Sequence, residues 1–96
     1  MPAAKILVID DDSAVTDLLS VLLRSQGFEV TATNSSTEGL NIARQNPHDL
    51  IVLDLMMPEM DGITALPQLL KLCPQSRVIM ASTLTRRNAE ISLKAL

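Results

Sequence analysis

The 96-residue chain carries 47% hydrophobic and 20% charged residues, enough apolar material for one domain-sized core and too much for a disordered segment. Its net charge of −3 opposes a phosphate-backbone binder, which concentrates Lys and Arg on one face, and Phe28 as sole aromatic leaves no stacking platform for single-stranded nucleic acid. Cys73 stands alone, excluding a disulfide framework or a thiolate metal cluster, and with no signal peptide or membrane-length apolar run the expectation is a cytoplasmic domain without nucleic-acid or membrane partners.

Along the chain, short β-rich apolar runs alternate with amphipathic helical stretches. Ile6-Leu7-Val8-Ile9 is continuously apolar, as expected for a strand covered on both faces. After three acids, Ser13 opens a helix in which Val15, Leu18, Leu19, Leu22 and Leu23 keep helical spacing, and Gly27 is its natural stop. Residues 28–33 alternate and are less apolar, which predicts an edge strand. Ser35-Ser36-Thr37-Glu38 matches a capping box opening a second helix, which Asn46-Pro47 ends.

Leu50-Ile51-Val52-Leu53 predicts the most buried strand, stopping at Asp54. Pro58 and Asp61-Gly62 punctuate a loop before a third helix containing Leu66, Leu69, Leu70 and Leu72 and closed by Pro74. Pro67 is expected in the first turn of that helix or at a local irregularity, because a ring deeper in removes a hydrogen bond. Residues 77–81 predict a fourth strand and residues 88–96 the start of a fourth helix. Four βα units in this order predict an α/β fold, with a doubly wound parallel sheet, right-handed crossovers and helices on both faces.

Acids gather where two strands end: Asp10-Asp11-Asp12 after the first, Asp54 at the end of the third. In open α/β sheets functional groups collect in the crevice beyond the carboxyl ends of the strands. If the first and third strands are neighbours, Asp10, Asp11 and Asp54 converge there, which is costly unless a cation neutralises them or one keeps its proton. A hard divalent ion such as Mg²⁺ answers this, since it takes one or two carboxylates, waters and a phosphate oxygen. A carboxylate beside it can act as a nucleophile toward phosphorus. Acids after a strand also cap helices, and Asp12 or Ser13 fits that role. A cap needs one such residue, and it leaves Asp54 at the end of an apolar strand unexplained.

Three segments together resemble the response-regulator receiver family of two-component signalling. They are Val8-Ile9-Asp10-Asp11-Asp12-Ser13, then Leu53-Asp54-Leu55-Met56-Met57-Pro58-Glu59-Met60-Asp61-Gly62, and Ile79-Met80-Ala81-Ser82-Thr83. The resemblance implies a flavodoxin-like strand order 2-1-3-4, Mg²⁺ held by Asp10, Asp11, Asp54 and the backbone carbonyl of Met56, and Asp54 as phosphoacceptor. It implies Ser82 as the switch hydroxyl, a histidine kinase as phosphodonor, and an output domain in the same protein or a partner. Pro58 and Gly62 fit turn roles. Residues 78–85 and 92–96 further resemble receivers attached to chemotaxis protein-glutamate methylesterases, in which phosphorylation relieves inhibition of an esterase domain. This chain shows no Gly-x-Ser-x-Gly elbow, so it is expected to be a regulatory phosphoacceptor rather than an enzyme.

The family also uses a Lys at the end of a fifth strand. The chain stops before such a strand, and Lys94 falls in the predicted fourth helix, so residues 1–96 are expected to form a truncated receiver whose open fourth-strand edge favours abnormal oligomers. The alternatives are the receiver of a transcriptional or stand-alone regulator and a phosphate-independent interaction module. An aspartyl-phosphate phosphatase of the haloacid-dehalogenase type is disfavoured, because it needs an Asp where Met56 stands. A P-loop nucleotide binder lacks its glycine-rich signature. His48, between Pro47 and Asp49, is expected in a loop without a direct role.

Overall fold

The computed structural model describes residues 3–54 and 62–81, with side chains at 3–54 and 67–79. The elements run β1 (Lys5–Ile9), α1 (Ser13–Ser25), β2 (Glu29–Thr33), α2 (Ser36–Gln45), β3 (Leu50–Asp54), α3 (Gly62–Leu72) and β4 (Arg77–Ala81). The strands form one parallel sheet ordered β2-β1-β3-β4, the flavodoxin-like order expected. The expected fourth helix lies outside the described residues.

Because successive strand residues point to opposite faces, the central strands build two cores at once. Leu7, Ile9, Ile51 and Leu53 pack with Leu40 and Ala43 of α2 and with Leu69 and Cys73 at the end of α3. Ile6 and Val8 pack on Val15, Leu19 and Leu23 of α1, with Phe28, Val30, Leu50 and Val52 around them. Each fully buried aliphatic side chain contributes about 1.5–3 kcal/mol, so these strands hold the frame on which the carboxyl-end loops sit. β2 is an edge strand in which only Thr33 is buried.

Helix ends follow local chemistry. Asp12 caps α1, its carboxylate accepting from the Ala14 N–H. At the other end Gly27 adopts φ 90°. There Phe28 N–H donates to the Leu23 carbonyl at 3.2 Å and Gly27 N–H to the Arg24 carbonyl at 3.0 Å, the paired bonds of a Schellman stop. Ser35 caps α2 by accepting from the Glu38 N–H at 3.2 Å. The Ser35 N–H donates to Thr33 Oγ1 at 3.2 Å, tying the cap back to the end of β2.

Pro67 departs from expectation. It is the sixth residue of α3, and the helix runs through it without a break. A proline there removes the N–H that would bond the carbonyl of residue 63, a cost of about 3 kcal/mol. Pro67 is exposed, while Leu69 and Cys73 lock the following turn into the core. That burial is of the same size as the penalty.

The amino ends of the strands are tied by Asp49. Its carboxylate accepts from Lys5 N–H at 2.7 Å, its own N–H donates to the Lys5 carbonyl at 2.8 Å, and its carbonyl accepts from Arg77 N–H at 3.0 Å. His48 is buried beside it, with Nδ1 2.9 Å from the Asn46 carbonyl, and its own carbonyl accepts from Ser76 Oγ. It therefore serves the packing of this end, away from the acids at the carboxyl ends.

Candidate metal and phosphoryl site

β1 pairs with β3 in the register Ile9↔Leu53. The next residues, Asp10 and Asp54, consequently leave adjacent strands at the same level. Asp10 is 5% and Asp54 7% exposed, while Asp11 lies on the rim in contact with solvent. Carboxylate oxygens of Asp10, Asp11 and Asp54 all lie within 4.8 Å of one another, so the three acids singled out in the sequence do converge.

The turn carrying Asp10 is held on all sides. Its N–H donates to the Thr33 carbonyl at 3.2 Å, extending the β1–β2 ladder one residue past the strand. Its carboxylate Oδ1 accepts from Asp12 N–H at 2.9 Å, an Asx turn that bends the chain from strand into helix. Its carbonyl accepts from Asn34 Nδ2 at 2.8 Å. The Asn34 amide also donates to Thr16 Oγ1 at 3.1 Å, and that hydroxyl donates to the Ser13 carbonyl at 3.1 Å. The three consecutive acids thus divide their work: Asp10 is buried and fixed, Asp11 faces the opening, and Asp12 caps α1.

Electrostatics match a site built for a cation. Burial is the main cause that raises the Asp10 carboxyl from 3.8 to about 6. The Asp12 N–H opposes the rise, and the charges of Asp54, Asp11 and Asp12 add to it. Such a cluster carries an uncompensated cost that a divalent ion removes. All three side chains offer hard oxygen donors, two from rigid strand ends and one from the solvent side, which suits Mg²⁺.

Met56 and Ser82 lie outside the described residues, as do Pro58 and Lys94. Asn34 and Thr16 had no sequence signal beyond a polar residue after a strand and a threonine in a first helical turn. The link from Asn34 to Asp10 spans 24 positions of sequence, and Thr16 joins it through the Asn34 amide.

Comparison with known proteins agrees with this geometry. The family model described as the response regulator receiver domain matches residues 6–96. A protein-glutamate methylesterase/protein-glutamine glutaminase of Nitrobacter hamburgensis is 48% identical over 95 residues, covering 96% of this chain and 25% of that protein. The protein of the same name from Azospirillum brasilense is 42% identical, covering 96% and 24%. The chain thus spans about a quarter of the length of these curated relatives. Among solved structures, a response regulator receiver domain protein from Methanospirillum hungatei superposes with a TM-score of 0.81 at 31% identity, covering 97% of this chain and 75% of that one.

Proposed function

Because the chain belongs to the response regulator receiver domain family and is 48% and 42% identical to stretches of two protein-glutamate methylesterases, we propose that Asp54 accepts a phosphoryl group from the phosphohistidine of a kinase. The observation that carries this reading is the approach of three carboxylates within 4.8 Å around the end of β3. Asp54 is the member that both ends a central strand and lies buried beside a second acid.

In the proposed reaction a carboxylate oxygen of Asp54 attacks phosphorus in line. The new O–P bond forms as the P–N bond to the kinase histidine breaks, and the imidazole leaves with the electron pair. Mg²⁺, held by Asp10, Asp11, Asp54 and the carbonyl of Met56, would supply positive charge against the phosphoryl oxygens. Asp10 contributes a fixed oxygen from the protein side and Asp11 one from the solvent side. Ser82 is proposed as the hydroxyl that bonds a phosphoryl oxygen and biases the following loop, a local hydrogen bond acting on a two-state element. The output is proposed to be a chemotaxis methylesterase domain of the parent protein, released from inhibition by phosphorylation.

The test is labelling with a small phosphodonor and Mg²⁺ in the longer natural protein, followed by mapping of the modified residue. A single acid-stable, base-labile phosphoryl group on Asp54, absent without Mg²⁺ and in Asp54→Asn, is the expected result. Labelling that persists in Asp54→Asn, or that needs no metal, overturns the proposal.

A further inference from the structure

Asp11 is the one member of the acidic cluster whose side chain is not fixed. Among the described residues no hydrogen bond or ion pair reaches its carboxylate, and it is exposed. Its place relative to Asp10 and Asp54 therefore depends on the backbone that carries it. The Asp10 carbonyl and the Asp11 N–H share one rigid peptide plane, so whatever holds that carbonyl sets the direction in which the Asp11 side chain leaves the chain. β1 has ended at Ile9, and the group that holds the Asp10 carbonyl is the Asn34 amide, at 2.8 Å.

We infer that Asn34 is a positioning residue for the cation site, its side-chain amide fixing the Asp10–Asp11 peptide plane and thereby the approach of the Asp11 carboxylate; this rests on the reading of the cluster as a Mg²⁺ site. The hydrogen-bond inventory fixes which end of the amide does this. The Asp10 carbonyl can only accept, and the Thr16 hydroxyl has its proton committed to the Ser13 carbonyl. Both partners need a donor, and the two N–H groups of one amide nitrogen serve both. The result is a brace from the β2–α2 loop to the metal turn and to the first turn of α1. Groups that orient metal ligands in this way typically change metal affinity by 10–100-fold when removed.

The experiment measures binding of Mg²⁺ alone to the full chain by calorimetry, for the parent, Asn34→Ala, Thr16→Val and Asp11→Asn. Asn34→Ala is expected to raise the Mg²⁺ Kd on the order of tenfold, and Thr16→Val, which removes one of the two acceptors, by a smaller factor. The Mg²⁺ concentration for half-maximal labelling by a small phosphodonor should rise by the same factor, with the rate at saturating Mg²⁺ changed less than twofold. A merely structural role would lower the thermal midpoint and leave the Mg²⁺ Kd of the folded protein in place. A Kd within twofold of the parent in Asn34→Ala overturns the inference. Should that variant fail to fold, an unchanged Kd in Thr16→Val does so. Asp11→Asn separates the two levels: Mg²⁺ binding untouched by it overturns the cation site itself, whereas binding lost there and kept in Asn34→Ala overturns only the positioning role.

Discussion

Asp10 and Asp54 are buried side by side because the residues before them, Ile9 and Leu53, are register partners on adjacent parallel strands. The sheet therefore forces two carboxylates together, and among the described residues no lysine or arginine figures in the groups that shift the Asp10 carboxyl. A shift of that carboxyl from 3.8 to about 6 means the charged form is disfavoured by the fold. Asp10→Asn keeps the oxygen that accepts from Asp12 N–H and removes the charge. We expect it to stabilise the metal-free protein by about 1–3 kcal/mol in urea unfolding, while Mg²⁺ binding falls by an order of magnitude or more. A metal-free protein destabilised by this change would show that the acid cluster is not under electrostatic strain.

The same shift sets a pH dependence. The folded carboxyl binds its proton more tightly than the unfolded one, so the penalty from Asp10 is fully present above about pH 6 and is relieved as pH falls from 6 toward 3.8. Protons and Mg²⁺ compete for the same oxygens. The rise in Tm produced by millimolar Mg²⁺ should therefore be large at pH 7.5 and shrink through pH 6 to little at pH 5. In Asp10→Asn that change should flatten. An equal Mg²⁺ increment at pH 7.5 and pH 5 in the parent would contradict the assignment.

The parts of this structure readable from sequence are those set by short-range rules. The apolar runs of β1 and β3, the stop at Gly27, the cap at Ser35 and the acids at strand ends each depend on neighbours a few residues away, and each lies where its pattern placed it. The convergence of Asp10, Asp11 and Asp54 needed one further step, that β1 and β3 be adjacent, which right-handed winding alone leaves open and which the resemblance to the receiver family implied through its strand order. Pro67 sits deeper in α3 than local propensity favours, because burial of Leu69 and Cys73 against α2 and the sheet, a long-range contact, offsets the penalty. Asn34 was invisible because its role exists only once β2 lies beside β1, bringing it to a carbonyl 24 residues away.

Cys73 gives a test of the seam between α2 and α3. The residue is 7% exposed, its thiol donates to the Ala43 carbonyl at 3.4 Å, and burial pushes the thiol pKa up, against an opposing hydrogen bond from Ser76. Little thiolate is available and little of the sulfur is accessible. Labelling by a thiol reagent at pH 8 should therefore track opening of the domain, becoming fast only in denaturant. Fast native-state labelling, on the timescale of a free thiol, would show that the end of α3 opens locally. Cys73→Ala, which removes a small buried group, should cost about 1–2 kcal/mol.

Gly39 lies within α2 where Ala would ordinarily gain up to about 1 kcal/mol of helix propensity. Here the gain is opposed by space. A Cβ at Gly39 would sit 2.5 Å from Ile9 Cδ1, 2.7 Å from Cγ1 and 3.2 Å from Cγ2, so α2 can lie this close to β1 only through a glycine. Ile9 is itself 1% exposed and immediately precedes Asp10, leaving it little room to turn away. Overpacking of this kind costs about 1–3 kcal/mol, which exceeds the propensity gain. Gly39→Ala is therefore expected to destabilise the domain by roughly 1–2 kcal/mol and to weaken Mg²⁺ binding, because Ile9 transmits the displacement to Asp10. Adding Ile9→Val removes the Cδ1 atom and should restore part of both losses. Chemical denaturation of the two single variants and the double variant checks this: additive losses would show that the helix and the strand are not in contact at this point.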